Sequence, residues 1–500
     1  MQGNIMEHSK KQISMLDAMF PILCLLALLF FAVYFFGDDS SSGPNQIALF
    51  LCAGIATLIG LKNGYSRSTI EKSIVKGISL TLGAILILLT IGALIGTWLL
   101  SGTVPTLIYY GLKILDPNYF YICCCIVCAL VALSIGSSWT VAATIGVALI
   151  GIAQALDLSM PVTAGAIISG AYFGDKLSPL SDTTNLAPAI AGSELFAHIK
   201  HMLWTTVPSF IIALVTFFAL GLNHEGLPEQ TQLDGLLTEI QSIYLIDWYM
   251  ITPLLVTLAL ALMKFPALPA IAIGTLVGAL WATLFQQPLI KTLVAMDVNS
   301  VEASSRMIWQ AMYNGINVET KSEMLSELLS GGGMKNMLNT VWLIIAAMTF
   351  GAVMEGTGLL KRIVDAILAK CTSIKSVISS TVATAFGTNV IAADQYIAIV
   401  IPGRMYKSAY EEHGSDPKNL SRALEDGGTV TSVLIPWNTC GAYMHSVLLV
   451  NPLEYAFFCF FNWITPIISI LIAQLGSRLG SFGQQLLPSI QKKPSLINQE

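Results

Sequence analysis

The chain has 500 residues, of which 54% are hydrophobic and only 11% are charged, and its formal net charge is −5. Soluble domains carry roughly 25% charged residues, so this composition excludes a soluble fold and favours an all-α polytopic membrane protein, with the lipid bilayer as its surroundings. No basic stripe with interleaved aromatic residues occurs, so nucleic acid is excluded as a partner.

Hydrophobic runs near the ~20 residues that a helix needs to cross a membrane recur along the chain. The first is long and lacks a signal-peptide cleavage site before Asp38, which predicts a retained helix. In chain order, the predicted spans cover residues 15–36, 47–61, 78–100, 204–222, 248–263, 266–285, 338–356 and 453–475. The predicted units are a two-helix segment (1–75), a first transport repeat (76–222), a connector with two transmembrane helices and a polar loop (223–337), a second repeat (338–475) and a cytoplasmic tail (476–500).

Two copies of one pattern indicate an internal repeat. Residues 92–97 resemble residues 351–357, and an amphipathic stretch follows each. Two interrupted apolar runs come next in both copies. The interruptions in the first copy are at residues 136–140 and 179–183, and those in the second copy are at residues 387–390 and 436–440.

The Lys and Arg residues of the short loops predict the orientation of each copy. A basic group after the second helix places that side, and both termini, in the cytoplasm; it comprises Lys62, Arg67, Lys72 and Lys76. A second basic group marks the end of the helix near residue 356 as cytoplasmic; it comprises Lys361, Arg362, Lys370 and Lys375. The two copies therefore start in opposite directions, which predicts an inverted repeat.

The first interrupted run of each copy is predicted to be a re-entrant hairpin. Residues 376–403 have basic residues at both ends, which places the tip near Asn389; residues 119–155 would carry Ser137 and Ser138 at theirs. A kinked full crossing remains the alternative. Residues 161–192 and 419–449 are predicted to cross as helices broken at mid-membrane.

Polar residues at these four interruptions form the candidate ion or substrate site. Unwound backbone at membrane depth is tolerated where it lines a cavity, as in inverted-repeat transporters. The candidates are Ser137, Ser138, Asp175, Ser181, Asp182, Thr183, Thr184, Asn185, Asn389, Asp394, Asn438 and Thr439. Oxygen ligands suit a small hard cation, so Na⁺ is predicted to bind at Asp182, Thr183, Asn389 and Asn438.

Proton coupling needs a buried carboxylate, and Asp175 and Asp182 are the candidates, with Lys176 as the counter-ion of one of them. The alternative is an Asp175–Lys176 salt bridge at a helix end, with only Asp182 deep in the membrane. Acids at 425 and 426 are expected to pair near the cytoplasmic surface. His198 and His201 are expected on a solvated interfacial face.

Three stretches then carry a family resemblance. Residues 174–188 with 195–198, residues 134–139 and residues 387–396 resemble the NhaC-type Na⁺/H⁺ antiporters of the ion transporter superfamily. The resemblance implies Na⁺/H⁺ exchange in a bacterial cytoplasmic membrane, without a cofactor or catalysis. A Na⁺- or H⁺-coupled carrier of an organic acid such as malate or lactate, or of an amino acid, remains the alternative. An integral-membrane enzyme is a remote one, and a homodimer remains open.

Overall fold

The computed structural model describes residues 12–222, 230–294, 299–476 and 485–489. Within these ranges the chain is helical, and the extended pairing found there amounts to two isolated bridges, Ile316 with Gly331 and Ser415 with Ser489. Eight of the described helices are long and apolar enough to cross a membrane, or ten if two bent pairs each count as one span. The prediction of an all-α polytopic membrane protein is confirmed.

The first part of the chain contains eleven described helices. They are α1 (Met15–Phe36), α2 (Pro44–Lys62), α3 (Arg67–Leu80), α4 (Leu82–Leu100), α5 (Thr103–Ile114), α6 (Phe120–Ile135), α7 (Ser138–Val141), α8 (Val147–Ala155), α9 (Met160–Leu177), α10 (Asp182–Ala191) and α11 (Leu195–Leu222). A single π turn, Ala142–Gly146, joins α7 to α8.

The remaining helices form the connector and the second copy of the pattern. The connector has α12 (Gln230–Ile243), α13 (Thr252–Leu262), α14 (Ala267–Phe285), α15 (Gln287–Val294), α16 (Ser300–Asn314) and α17 (Glu323–Leu328). The second copy has α18 (Leu338–Gly356), α19 (Leu359–Leu368), α20 (Ile374–Ala392), α21 (Gln395–Glu412), α22 (Pro417–Leu424), α23 (Thr439–Leu448), α24 (Pro452–Tyr455) and α25 (Phe460–Leu475).

Helix boundaries repeat along the chain with a nearly constant spacing. Helix α18 begins and ends 256 residues after α4, and α23 begins and ends 257 residues after α10. The residue that caps α9, Ser159, and the residue that caps α22, Asp416, are also 257 positions apart. These spacings support the predicted internal repeat, whereas the opposite membrane orientation of its two copies stays a prediction.

The interruptions of the two hairpin candidates have the same backbone conformation. Gly136 (φ 76°, ψ 33°) is left-handed and is followed by extended Ser137 (φ −152°, ψ 109°). Ala393 (φ 56°, ψ 25°) and Asp394 (φ −149°, ψ 133°) repeat this turn 257 positions later. The predicted tip near Asn389 is therefore wrong, because Asn389 lies inside α20 and the chain turns at Ala393. The sequence pattern matched Gly387 of the second copy with Gly136 of the first. In the structure, Ala393 adopts the left-handed conformation instead, and the Asp394 carboxylate caps the next helix.

Helices α20 and α21 pack against each other, as a hairpin requires. The two crossing candidates are broken as predicted, at residues 178–181 between α9 and α10 and at residues 435–438 before α23. The depth of these breaks in the membrane and the side from which the hairpins enter stay predictions.

The segment predicted as a polar loop in the connector packs into the helical body. The Gly333 N–H donates to the Gly92 carbonyl of α4 at 2.6 Å. A Cβ at Gly96 would lie 2.0 Å from the Ala311 carbonyl oxygen, so the absence of a side chain allows α16 to approach α4. This contact fixes α4, whose opposite end borders the cavity described next.

The predicted cytoplasmic tail lies largely outside the described residues. Residue 476 and residues 485–489 are its described part, and residues 485–489 dock beside α22. The Leu486 carbonyl accepts from Arg422 at 3.0 Å, and the Pro488 carbonyl accepts from Asn419 at 2.8 Å.

Candidate functional site

Four helices begin around one cavity of about 540 Å³. Helices α7 and α10 come from the first copy, and α21 and α23 come from the second. Each starts after a capping side chain, provided by Ser137, Ser181, Asp394 and Asn438. Six of the predicted site residues line this cavity, namely Ser137, Ser138, Asp175, Asp182, Asp394 and Thr439. Each capping side chain accepts from a backbone N–H group in the first turn of its helix, which holds the four helix starts in place.

Asp175 and Asp394 are the buried carboxylates among the described residues that line this cavity. Asp175 lies in the last turn of α9 with 8% exposure. Its Oδ2 atom accepts from the Ser138 N–H at 3.0 Å and from the Ser138 Oγ–H at 2.6 Å. Its Oδ1 atom has no hydrogen-bond partner among the described residues. One carboxylate oxygen is therefore held in place while the other is available to a cation.

Asp182 faces the same cavity but is exposed, unlike Asp175. Its Oδ1 atom accepts from the Thr183 N–H at 2.9 Å, and its Oδ2 atom accepts from the Tyr396 hydroxyl. Tyr396 belongs to α21, so this bond joins the two copies across the cavity. Sequence reasoning did not select Tyr396, although it lies two positions after the selected Asp394.

Asp394 and Thr439 form the second copy's side of the cavity. The Asp394 Oδ1 atom accepts from the N–H groups of Tyr396 at 2.9 Å and Ile397 at 3.1 Å, so this oxygen caps α21. Its Oδ2 atom accepts from the Thr439 hydroxyl at 3.4 Å. The Thr439 N–H also donates to the Ala393 carbonyl at 2.9 Å, which holds the hairpin turn against the start of α23.

Asn389 and Asn438 contact each other. The Asn438 amide donates to the Asn389 Oδ1 atom at 3.1 Å, while the Asn389 amide donates to the Thr431 hydroxyl at 3.0 Å. The predicted Na⁺ set thus falls into two pairs, Asp182 with Thr183 and Asn389 with Asn438. In the part of the chain that is described, no hydrogen bond joins the pairs directly, and the four-residue Na⁺ site stays a prediction.

The remaining predicted site residues hold the break between α9 and α10 in shape. The Ser181 hydroxyl caps α10 and lies 3.2 Å from the Thr183 hydroxyl. Thr184 donates to the Lys176 carbonyl at 3.1 Å, and the Asn185 amide donates to the Pro179 carbonyl at 2.9 Å. These bonds satisfy backbone carbonyls that the break would otherwise leave unpaired.

Lys176 has a different partner from the one predicted. It is completely buried and forms an ion pair with Asp426, not with Asp175 or Asp182. Asp426 and Glu425 are also completely buried inside the protein, and their predicted place near the cytoplasmic surface stays a prediction. The alternative of an Asp175–Lys176 salt bridge with only Asp182 deep is wrong. Adjacent side chains on a helix diverge by about 100°, so Asp175 and Lys176 point to different neighbours.

The two histidines are buried, which corrects the predicted solvated face. His198 Nδ1 lies 2.8 Å from the Ser421 hydroxyl, and His201 Nε2 lies 3.0 Å from Asn419 Oδ1. Both are on α11, a continuous helix of 28 residues that packs against α22. The short amphipathic pattern of the sequence did not indicate this packing, because its partner α22 is a short helix in an interrupted segment of the second copy.

An aromatic pair fixes the first hairpin turn. The rings of Trp139 and Tyr443 stack with centroids 3.9 Å apart, and the Tyr443 hydroxyl donates to the Trp139 carbonyl at 2.8 Å. This contact couples the start of α7 to α23, and so positions Ser138 beside Asp175.

The fold and the cavity define a polytopic membrane protein with a central polar site between two structurally repeated parts. The chain belongs to the Na⁺/H⁺ antiporter family, which it matches over residues 9–172 and 170–477.

Curated relatives cover most of their own length and of this chain. A protein named malate-2H⁺/Na⁺-lactate antiporter from Bacillus subtilis is 37% identical over 87% of this chain and 90% of its own. The Na⁺/H⁺ antiporter NhaC of Alkalihalophilus pseudofirmus is 36% identical over 87% of this chain and 91% of its own. The arginine/ornithine antiporter ArcD of Halobacterium salinarum is 33% identical over 94% of each chain. The predicted resemblance to NhaC-type antiporters is confirmed.

Proposed function

We propose that this protein exchanges Na⁺ for H⁺ across the bacterial cytoplasmic membrane by alternating access, with its N- and C-termini in the cytoplasm. The observation that carries the proposal is Asp175. Its one oxygen is fixed by Ser138 and its other is unpartnered on the wall of the cavity. A buried carboxylate with a free oxygen carries a costly negative charge. Either small cation, Na⁺ or H⁺, stabilises it by binding to the carboxylate or close to it.

The surroundings of Asp175 suit Na⁺. The nearby cavity oxygens come from the Ser137 hydroxyl and from Asp182, Asp394 and Thr439. Hard oxygen ligands bind hard cations, and this wall presents no soft ligand set. Because Asp182 and Tyr396 join the two copies, a rearrangement of that contact would open or close the cavity around the ion.

A Na⁺-coupled organic acid carrier is the second candidate. The cavity of about 540 Å³ exceeds the space that one Na⁺ requires, and Lys264 lines it. A carboxylate substrate would need such a cation. Lys176 does not serve this purpose, because its ammonium group is paired with Asp426.

Transport in proteoliposomes distinguishes the two candidates. With no organic solute present, a Na⁺ gradient should drive proton movement in the intact protein, and Asp175→Asn should abolish it. Asp182→Asn should reduce it. Asp157→Asn is the matched control, since Asp157 is exposed and its positive φ of 54° also suits Asn. Proton movement that begins only after malate, lactate or an amino acid is added would replace Na⁺/H⁺ exchange with the carrier.

A further inference from the structure

Behind the cavity lies a second, completely buried group of charges. It consists of Lys176, Arg422, Glu425 and Asp426, each with 0% exposure. Lys176 contacts Asp426 Oδ1, and Arg422 Nε lies 3.9 Å from Asp426 Oδ2. The Thr205 hydroxyl also donates to Asp426 Oδ1, at 3.1 Å. Asp426 is therefore the paired carboxylate of the group: its Oδ1 atom accepts two bonds, while its Oδ2 atom has only the Arg422 guanidinium nearby.

Glu425 is the carboxylate without bonds. Neither of its oxygens has a hydrogen-bond partner among the described residues. It begins a π turn, Glu425–Thr429, and π turns inside α-helices frequently mark functional sites. An ionised carboxylate in such a place is costly unless it is paired, whereas its protonated form is far less so. Glu425 is thus the member of the group that is best placed to take up and release a proton.

The fold itself does not require these charges. In the first copy, the positions 257 residues earlier than Arg422, Glu425 and Asp426 are Gly165, Ile168 and Ser169. The register is secure, because the capping residues Ser159 and Asp416 have the same spacing. One copy therefore builds this segment with small and apolar residues, while the other places three charged residues in it.

Asp175 and Lys176 connect this group to the cavity. They are consecutive residues in the last turn of α9, and Asp175 bonds to Ser138 while Lys176 contacts Asp426. The charged groups next to Glu425 are Asp175 and Lys176 of α9 and Asp426 of its own segment. Arg422 lies in the same segment, with His198 and His201 of α11 and Tyr410 of α21 near it, whereas Asp182 of α10 faces the cavity. Helix α20 contributes only Lys375 in its first turn, and α25 has no charged residue.

Charge neutrality links the two places. When all are ionised, the two cations Lys176 and Arg422 face three carboxylates, Asp175, Glu425 and Asp426, which leaves one excess negative charge. Asp394, the other buried carboxylate at the cavity, is not part of this count because the Tyr396 and Ile397 N–H groups and the Thr439 hydroxyl already stabilise its charge. One Na⁺ at Asp175 or one proton on Glu425 restores neutrality, whereas both together leave a buried positive charge. Uncompensated charge is strongly disfavoured in such surroundings.

We propose that Glu425 is the proton-binding carboxylate of the exchange, and that Na⁺ at the cavity carboxylate Asp175 expels the proton from it. This inference rests on the proposed Na⁺/H⁺ exchange and assigns its two ions to two separate groups. By linkage, a proton on Glu425 weakens Na⁺ binding by the same factor by which Na⁺ weakens proton binding.

The test measures protons released per Na⁺ bound by the purified protein, with ²²Na⁺ for binding and a pH indicator in weak buffer for release. The intact protein should release about one proton per Na⁺. Glu425→Gln keeps the shape of the side chain but makes it permanently neutral. It should bind Na⁺ more weakly, with an affinity that does not change with pH, and release almost no protons. Glu412→Gln, at an exposed position in α21, is the control and should behave as the intact protein does.

The outcomes separate the two proposals. If Glu425→Gln releases as many protons per Na⁺ as the intact protein, the role of Glu425 is wrong while Na⁺/H⁺ exchange stands. If the intact protein binds no Na⁺, the proposed function itself is wrong. Should Glu425→Gln not fold, infrared difference spectra upon Na⁺ addition provide the test. The band of the protonated carboxyl that Na⁺ removes must shift in Glu425→Asp, and an unshifted band overturns the assignment.

Discussion

The hydroxyl of Ser138 offers a direct perturbation of the cavity carboxylate. It donates to Asp175 Oδ2 at 2.6 Å, alongside the Ser138 N–H at 3.0 Å. Ser138→Ala removes the hydroxyl bond and leaves the backbone bond in place. A hydrogen bond to a charged group contributes about 1.5–3 kcal/mol, and each ~1.4 kcal/mol is a factor of ten in an equilibrium constant. The KM for Na⁺ should therefore rise, by at most about ten-fold to a hundred-fold, because the hydroxyl also contacts Asp175 without Na⁺ and only the part of the bond that strengthens with Na⁺ bound changes the affinity.

The assay is Na⁺-dependent proton movement in proteoliposomes over a range of Na⁺ concentrations. The maximal rate should be largely retained, because saturating Na⁺ restores occupancy of Asp175. Ser134→Ala is the matched control: Ser134 lies four residues earlier, is exposed, and donates within its own helix to Leu130 at 2.9 Å. A KM that stays unchanged in Ser138→Ala, or that rises equally in Ser134→Ala, would refute the reasoning.

Three further perturbations test the surrounding structure. Gly136→Ala should lower both stability and transport, because φ is 76° there and a Cβ would lie 2.7 Å from the Leu180 carbonyl carbon; unaltered melting and transport would contradict this. Lys176→Met should destabilise the protein by up to about 3–5 kcal/mol, because it removes the nearest cation from buried Asp426 and leaves only the more distant Arg422. Lys176→Met with Asp426→Asn should recover part of the loss; thermal unfolding checks this, and a double variant no more stable than the single one would count against it. Tyr396→Phe should raise the KM for Na⁺ less than Ser138→Ala does, since its partner Asp182 is exposed; a larger rise would place the ion at Asp182.

Composition was sufficient to predict the helical membrane fold, and the spacing of the interruptions predicted an internal repeat that the helix boundaries support. Insertion of polar residues into apolar runs located Ser137, Ser138, Asp175, Asp182, Asp394 and Thr439, which meet at one cavity. Charges and unwound backbone in a membrane are costly and therefore mark a cavity, whereas the role of these residues in binding an ion stays a prediction.

The errors came from contacts between residues far apart in the chain. The second hairpin turn was placed at Asn389 because a nearby glycine looked like the break, yet Ala393 adopts the left-handed conformation. Asp426 was expected to pair locally because Arg422 precedes it by four positions. Its main partner, Lys176, is 250 residues away, and no local pattern indicates such a pair. The burial of His198 depends in the same way on Ser421.

Equilibrium binding of ²²Na⁺ to the purified protein tests the central claim, that Asp175 holds the transported cation, most directly. The account predicts saturable binding that protons inhibit, loss of that binding in Asp175→Asn, and unchanged binding in Asp157→Asn. Saturable Na⁺ binding that persists in Asp175→Asn with the affinity of the intact protein would contradict it.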